Sequence, residues 1–149
     1  MAEERSLVLL KPGILERRIL GEVLGRFERK GLRIIAMKLM RVSGARAEAH
    51  YAEHKDKPFY AELIDYITSG PVVALVVGGE GAVGALRRLC GPTRPSEAPP
   101  GTIRGDFALH TNVNIVHASD SPSAADREIR LFFEPSEIIE WKDGNDEWI

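Results

Sequence analysis

The chain has 149 residues, enough for one domain that buries a core without disulfide or metal staples. Its 20 basic and 22 acidic side chains nearly balance, so composition gives no argument for a nucleic-acid or membrane partner, and any basic site has to be local. One cysteine, Cys90, excludes an internal disulfide, no charged-then-apolar leader precedes Ser6, and apolar runs of five or six residues fall far short of the ~20 that span a bilayer, so a soluble cytoplasmic protein is expected.

Residues 7–10 form a short continuous apolar run, the pattern of a strand covered on both faces, and it stops at Lys11-Pro12-Gly13. Over residues 14–30, Leu15, Ile19, Leu20, Val23, Leu24 and Phe27 recur at spacings of three and four, which predicts an amphipathic helix with Gly31 as its stop. Residues 34–40 read as a second strand. Ser43 is placed to cap a short helix over residues 45–54, and a further helix is expected over 58–68, closed by Ser69-Gly70-Pro71. Residues 71–77 are β-branched, apolar and uncharged, the strongest strand signal in the chain. A short helix is expected over 82–89. The loop from Gly91 to Gly101 holds Pro92, Pro95, Pro99 and Pro100, so it should lack regular structure and carry function. Residues 113–116 are the last core strand and 123–132 the last long helix.

The resulting order, β, α, β, α, β, α, β, suits a doubly wound parallel sheet. It equally suits a split βαβ arrangement, with a mixed or antiparallel sheet of four strands and helices on one face. Periodicity leaves both open. A polar tail from about residue 133 carries Trp141 and Trp148, placed either for a subunit contact or to pack on its own chain.

Chemistry concentrates in Asn114-Ile115-Val116-His117-Ala118-Ser119-Asp120. An unperturbed imidazole pKa of ~6.5 leaves much of His117 neutral near pH 7, available as nucleophile, general base or metal ligand. Residue type alone also allows plainer roles. His117 could be packed or solvated beside its strand, Phe59 could be core, and Lys11 and Arg87 could be solvated. Glu128 could pair with Arg127 or Arg130, and Thr93 could cap a turn. Two other patterns compete. Gly79-Glu80-Gly81-Ala82-Val83-Gly84 matches a dinucleotide-binding turn, but the short helix after it runs into the proline-rich loop where a second strand is required, so a surface turn is expected. His50-Tyr51-Ala52-Glu53-His54 matches a zinc-binding helix, but no third ligand is evident, so a solvated helix face is expected.

Taken together, Lys11-Pro12, Arg87-x3-Gly91-x-Thr93, the run from Pro100 to Phe107 and the histidine segment, with Lys57-Pro58-Phe59 and the run from Arg26 to Gly31, resemble the nucleoside diphosphate kinases over nearly the whole chain. The resemblance implies an α+β, ferredoxin-like βαββαβ fold: a four-stranded antiparallel sheet covered by helices, with an extended loop before the last strand, in a single domain over residues 1–149. It implies a ping-pong exchange of terminal phosphate between nucleoside triphosphates, typically ATP, and nucleoside diphosphates, through a phosphohistidine at His117. Lys11 and Arg104 then match residues that hold the transferring and neighbouring phosphates, Arg87 and Thr93 contacts to the inner phosphates, and Asn114 a contact to the sugar hydroxyl. Phe59 matches the ring on which the base stacks and Leu63 an apolar neighbour of the base. Tyr51 matches a supporting hydroxyl, Glu128 a carboxylate that orients the imidazole, and Ser119 a hydroxyl near the phosphorylated nitrogen.

The same resemblance implies Mg2+ carried in by the nucleotide phosphates, with no protein-held metal. It implies a homo-oligomer, a hexamer rather than a tetramer, with no membrane and no obligatory nucleic-acid partner. Gly13-Ile14 stands where most members have Asp-Gly, so the turn after the first strand should differ in shape. Ala118 replaces the commonest glycine, which removes freedom at positive φ. The segment His110-Thr111-Asn112-Val113 also departs from the commonest residues. A non-catalytic binding module on the same fold is the alternative from another class, and a zinc hydrolase a more distant one.

Overall fold

The computed structural model describes residues 3–149. Four strands, β1 (Glu3–Leu10), β2 (Arg33–Met40), β3 (Val72–Glu80) and β4 (Val116–Ala118), form one sheet in the order β2-β3-β1-β4. Every neighbouring pair is antiparallel, so the sheet is ferredoxin-like and the doubly wound parallel alternative falls away. The central pair runs in register from Glu3↔Glu80 to Leu10↔Val73. Among the described residues the α-helices are α1 (Leu20–Lys30), α2 (Gly44–His50), α3 (Tyr60–Ile67), α4 (Ala82–Cys90), α5 (Ile103–Phe107) and α6 (Pro122–Phe132). None is long and apolar enough to cross a membrane.

Helices lie on both faces of the sheet, where the split βαβ arrangement read from periodicity has them on one. Successive side chains of a strand point to opposite sides. Val8 and Leu10 pack with Val23 and Phe27 of α1 and Leu86 of α4, while Leu7 and Leu9 pack with Ala47 of α2, Ile67 of α3 and Phe132 of α6. Burial from both sides is why β1 and β3 are apolar at consecutive positions rather than alternate ones.

Several boundaries differ from expectation for local reasons. The helix expected from residue 14 starts only at Leu20, because residues 12–18 form successive turns and Arg18 sits at φ 58, outside helical space. Ile14 is nonetheless 1% exposed, so its place in the apolar period records burial and not helicity. Ser43 caps α2 as expected, its hydroxyl accepting from the Arg46 N–H at 3.1 Å, but the helix ends at His50 and Ala52–His54 is a separate 3-10 turn. β3 continues beyond Val77 to Glu80. β4 begins at Val116 rather than residue 113, since Thr111–Val113 is a 3-10 turn and Ile115 has φ 62. α5 rises where no helix was expected, capped by the Thr102 hydroxyl, which accepts from the Gly105 N–H at 3.0 Å.

The polar tail packs on its own chain around Ile139 and Trp141, while Trp148 stays exposed. Ile139 N donates to Ile35 O at 2.8 Å and Trp141 Nε1 to Ile34 O at 3.0 Å, beside the irregularity in β2 between Ile34 and Ala36. Arg5 pairs with Glu140 on the same path. The glycine-rich turn before α4 proves structural: the Glu4 carboxylate already accepts from Val83 N at 3.1 Å, so an acidic side chain occupies the helix start a pyrophosphate would need.

Candidate active site

Strand alternation sends Val116 and Ala118 into the core with α1 and α4, and His117 to the other face, towards α2 and α6. There His117 Nε2 lies 2.9 Å from Oε1 of Glu128 on α6. The same oxygen accepts from the Ser119 hydroxyl at 2.6 Å, and that hydroxyl accepts in turn from Leu7 N at 3.1 Å. A continuous chain of hydrogen bonds therefore runs from the β1 backbone to the imidazole. Burial pushes the Glu128 carboxyl up, but the hydrogen bond and charge of His117 and the bond from Ser119 outweigh it and hold the group at about 2. An ionised carboxylate only accepts, so Nε2 carries the ring proton and Nδ1 keeps its lone pair. Burial holds His117 itself below its ordinary value, with Glu128 opposing and Lys11 and Arg104 adding to the depression.

Three cations converge on the same place. Lys11, at the end of β1, is fixed by its own N–H to Ile115 O at 2.9 Å and donates from Nζ to Asn114 Oδ1 at 2.8 Å. The Asn114 amide then donates to Thr93 O at 3.3 Å. Arg104, on α5, donates from Nε to Asn114 O at 3.2 Å, from Nη1 to Gly91 O at 2.7 Å and from Nη2 to Val116 O. Arg87, on α4, donates to Ala118 O at 3.4 Å. Gly105 lets α5 seat on the proline-rich loop, since a Cβ there would stand 2.0 Å from Pro99 O. Lys11 is buried, and its side-chain partner is a neutral amide. Burial, followed by the Arg104 charge, lowers it to about 7. A lysine so under-compensated is stabilised by an incoming polyanion.

The backbone here is strained. Val116 N donates to Asn114 O at 2.8 Å across Ile115 at φ 62, a γ-turn centred on a β-branched residue. Such a conformation stores about 1–3 kcal/mol and persists only where its surroundings enforce it.

A cavity of about 330 Å³ joins these groups: Lys11, Arg87, Thr93, Arg104, Asn114, His117 and Glu128 line it with Tyr51, Phe59 and Leu63. Ser119 stands apart, behind Glu128, and reaches the imidazole through that carboxylate rather than at its free nitrogen. Phe59 is 43% exposed, so it offers a ring face to the cavity instead of filling the core. A second cavity of about 690 Å³ shares Lys11, Phe59, Leu63, Thr93 and Asn114 with the first, so the two adjoin. Gly13 takes up φ 104 in open space, and Ala118, in β4 and paired with Val8 of β1, is not among the left-handed residues.

Two neighbours of the site escaped sequence reasoning. His50, expected on a solvated face, is 6% exposed, with its ring 4.6 Å from His117 at 86° and 5.4 Å from Phe132. It sits three residues after the buried Ala47, and that helical spacing was the signal for an inward position. Burial, then the neighbouring His117, lowers His50 to about 3. His54 belongs instead to the 3-10 turn, 5.6 Å from the Phe59 ring. Tyr66 places its ring 5.8 Å from Lys11 Nζ, and burial lifts its hydroxyl to about 12. The expected Tyr51 is buried with its ring 4.7 Å from His50, and burial raises its hydroxyl as well.

Comparison with known proteins bears on what this cavity does. Residues 4–138 match the family model described as nucleoside diphosphate kinase. A nucleoside diphosphate kinase of Treponema pallidum (strain Nichols) is 61% identical over 145 residues, 97% of either chain. One of Archaeoglobus fulgidus is 56% identical over 146 residues, 98% of this chain and 97% of its own. Among solved structures, a halophilic nucleoside diphosphate kinase from Halobacterium salinarum in complex with CDP superposes with a TM-score of 0.96 at 42% identity, covering 99% of this chain and 98% of that one. A nucleoside diphosphate kinase family protein from Babesia bovis gives 0.93 at 43%, covering 97% and 98%.

Proposed function

The chain belongs to the nucleoside diphosphate kinase family, and from that premise we propose how its residues divide the work of phosphoryl transfer. The activity moves the terminal phosphate of a nucleoside triphosphate to a nucleoside diphosphate through a phosphohistidine. His117 is the nucleophile. Its Nδ1 lone pair attacks the terminal phosphorus, the bond to the bridging oxygen breaks, and the diphosphate leaves. In the second half-reaction a terminal oxygen of another diphosphate attacks the same phosphorus, the phosphorus–nitrogen bond breaks, and the neutral imidazole returns. While Nδ1 is substituted the ring is cationic, and Glu128 at Nε2 offsets that charge and fixes the tautomer. Ser119 holds Glu128 in place.

Lys11, Arg104 and Arg87 meet the negative charge that spreads over the phosphoryl oxygens, with fixed positions that need no rearrangement at the moment of transfer. Thr93 reaches the inner phosphates, Asn114 the sugar hydroxyl, and Tyr51 supplies a hydroxyl beside the histidine. Phe59 stacks on the base with Leu63 alongside. Every base presents a π-face, so the site tolerates many nucleotides. The donor set suits Mg2+ carried by phosphates. Glu128 is already engaged, Lys11, Arg87, Arg104 and Arg127 line the cavity, and Glu53 and Asp120 are the other carboxylates on its wall. A hard cation that keeps several waters and binds phosphate oxygens fits that better than an all-protein cage would. When bound, the ion neutralises phosphate charge.

The observation that carries this reading is the 2.9 Å contact of His117 Nε2 with Glu128 in a cavity lined by Lys11, Arg87, Arg104 and Arg127. Incubation with γ-labelled ATP and no acceptor should leave an acid-labile, base-stable label that passes to added GDP and is absent from His117→Ala. A folded protein that takes no label would overturn the assignment in favour of a non-catalytic binding module. The working form is a single domain over residues 1–149, its tail from about residue 133, in a cytoplasmic homo-oligomer, a hexamer rather than a tetramer. Exposed Leu39, Leu109 and Trp148 supply apolar surface for subunit contacts. Light scattering should return a particle near six times the 16.5 kDa chain mass.

A further inference from the structure

Among the described residues one group of three metal-ligating side chains comes together: His50, His117 and Glu128, with a ligand atom of each within 4.8 Å of the others. The sequence pattern that contains His50 pairs it with His54, but the fold pairs it with β4 and α6 instead. Two neutral imidazoles and a carboxylate are a donor set that binds zinc and leaves a fourth position open. His50 is the independent pointer. It is buried, faces the cavity, and neither of its ring nitrogens has a hydrogen-bond partner. A buried polar atom without a partner calls for an explanation, and a ligand that takes its lone pair is one. Because burial holds His50 unprotonated, that lone pair is offered without displacing a proton.

We propose that His50, His117 and Glu128 form an inhibitory site for a borderline-soft divalent cation of the zinc type, and that the bound ion and the phosphoryl group exclude one another. Zinc–ligand bonds of about 2.0–2.1 Å set tetrahedral ligands roughly 3.4 Å apart, so the widest of these separations, at most 4.8 Å, closes by up to about 1.4 Å on binding. An ion on Nδ1 of His117 takes the electron pair that phosphorus would receive. An ion on Nε2 displaces the proton shared with Glu128, which moves to Nδ1. Either way no nucleophile is left. Lys11 and Arg104 oppose a dication here, so the site is one of regulation by free metal and not a permanent structural centre. Mg2+, which prefers oxygen donors and keeps its waters, does not compete for two imidazoles.

Zinc binding is read directly, by competition with a chromophoric chelator on the nucleotide-free full chain, so its failure leaves the phosphohistidine reading intact. The inhibition rests on that reading. Wild type should take up one zinc per chain, and His50→Phe and His117→Ala should each bind at least tenfold more weakly. Millimolar Mg2+ should not displace the ion, and protein already phosphorylated on His117 should not bind it. Each enzyme's labelling by ATP, scaled to its zinc-free rate, should need at least tenfold more zinc for half-inhibition in His50→Phe. If His50→Phe does not fold, His50→Gln serves in its place. Variants that titrate like wild type, no uptake at zinc equal to protein, or an equal loss in His54→Ala would each overturn the proposal.

Discussion

The two faces of the sheet share the same strands and differ in what they bury. Against α1 and α4 the strands present Val8, Leu10, Val73, Leu75 and Val77, and the partners are Val23, Phe27 and Leu86. Against α2, α3 and α6 they present Leu7, Leu9, Ala74 and Val76, but into this second layer are set His50, His117, Ser119 and Glu128. The first face is held mainly by packing, with Ser6 a buried polar side chain on its β1 side. The other gives up part of its packing to hold polar groups, of which His50 lacks a hydrogen-bond partner and His50, His117 and Glu128 have their protonation displaced. A single strand shows the division at its smallest scale, with Val116 and Ala118 on one side of β4 and His117 on the other. Function is placed here by the pleat of a strand.

The division can be broken from either side. The largest effect should come from Phe27→Ala, which opens a cavity in the mainly apolar layer and should cost about 3–5 kcal/mol of stability by denaturant titration. Labelling by ATP per folded molecule should stay at the wild-type level. A proportional loss of labelling would mean that the two faces are not separable. Glu128→Gln keeps the shape of the second layer and removes its charge. Labelling should fall about 10–100-fold, roughly 1.4–2.7 kcal/mol of barrier, with the melting temperature little changed. Its pH profile gives the sign. Glu128 raises the His117 pKa against burial, so the acid limb of labelling, already below the ordinary histidine range, should move to still lower pH in the variant.

A smaller effect tests the buried cation. Lys11 titrates near 7 when folded and near 10.5 when unfolded, so between those values the unfolded chain binds more protons and nucleotide-free stability should rise with pH. Lys11→Met should flatten that rise in melting curves taken across the same window, while abolishing most labelling. A slope unchanged in the variant would place the titration elsewhere.

The apolar layer was also the more legible one. Residues 71–77 read as a strand because buried β-branched residues leave a local signature, and the Ser43 cap did so because a hydroxyl three residues before a free N–H is a short-range device. The antiparallel sheet order was not legible from periodicity. Strand direction is settled by partners far away in the chain, and only the resemblance selected it. Ile14 misled because burial in a turn leaves the same period as burial in a helix. α5 escaped because five residues that follow two prolines and a glycine, with Gly105 among them, carry too little pattern. Within the site Lys11, Arg87, Arg104, Asn114, His117 and Glu128 line one cavity, while the Ser119 hydroxyl donates to Glu128 instead of facing the free ring nitrogen. His50 was missed because two histidines four apart suggested each other, when the helix that should join them stops at the first.

Among the described residues, two other than glycine take left-handed backbone angles, Arg18 at φ 58 and Ile115 at φ 62, and they set different terms for anyone engineering this chain for heat tolerance. Arg18 is exposed, so Arg18→Gly should relieve strain without emptying a core site, a gain of about 1 kcal/mol visible as a rise of a few degrees in melting temperature. Ile115 has no such remedy. Its backbone asks for glycine, its side chain fills the core, and its carbonyl anchors Lys11, so any single substitution trades one demand against another. A library screened for thermal stability would therefore find room to improve at the first position, and at the second would find the chain already committed to its chemistry.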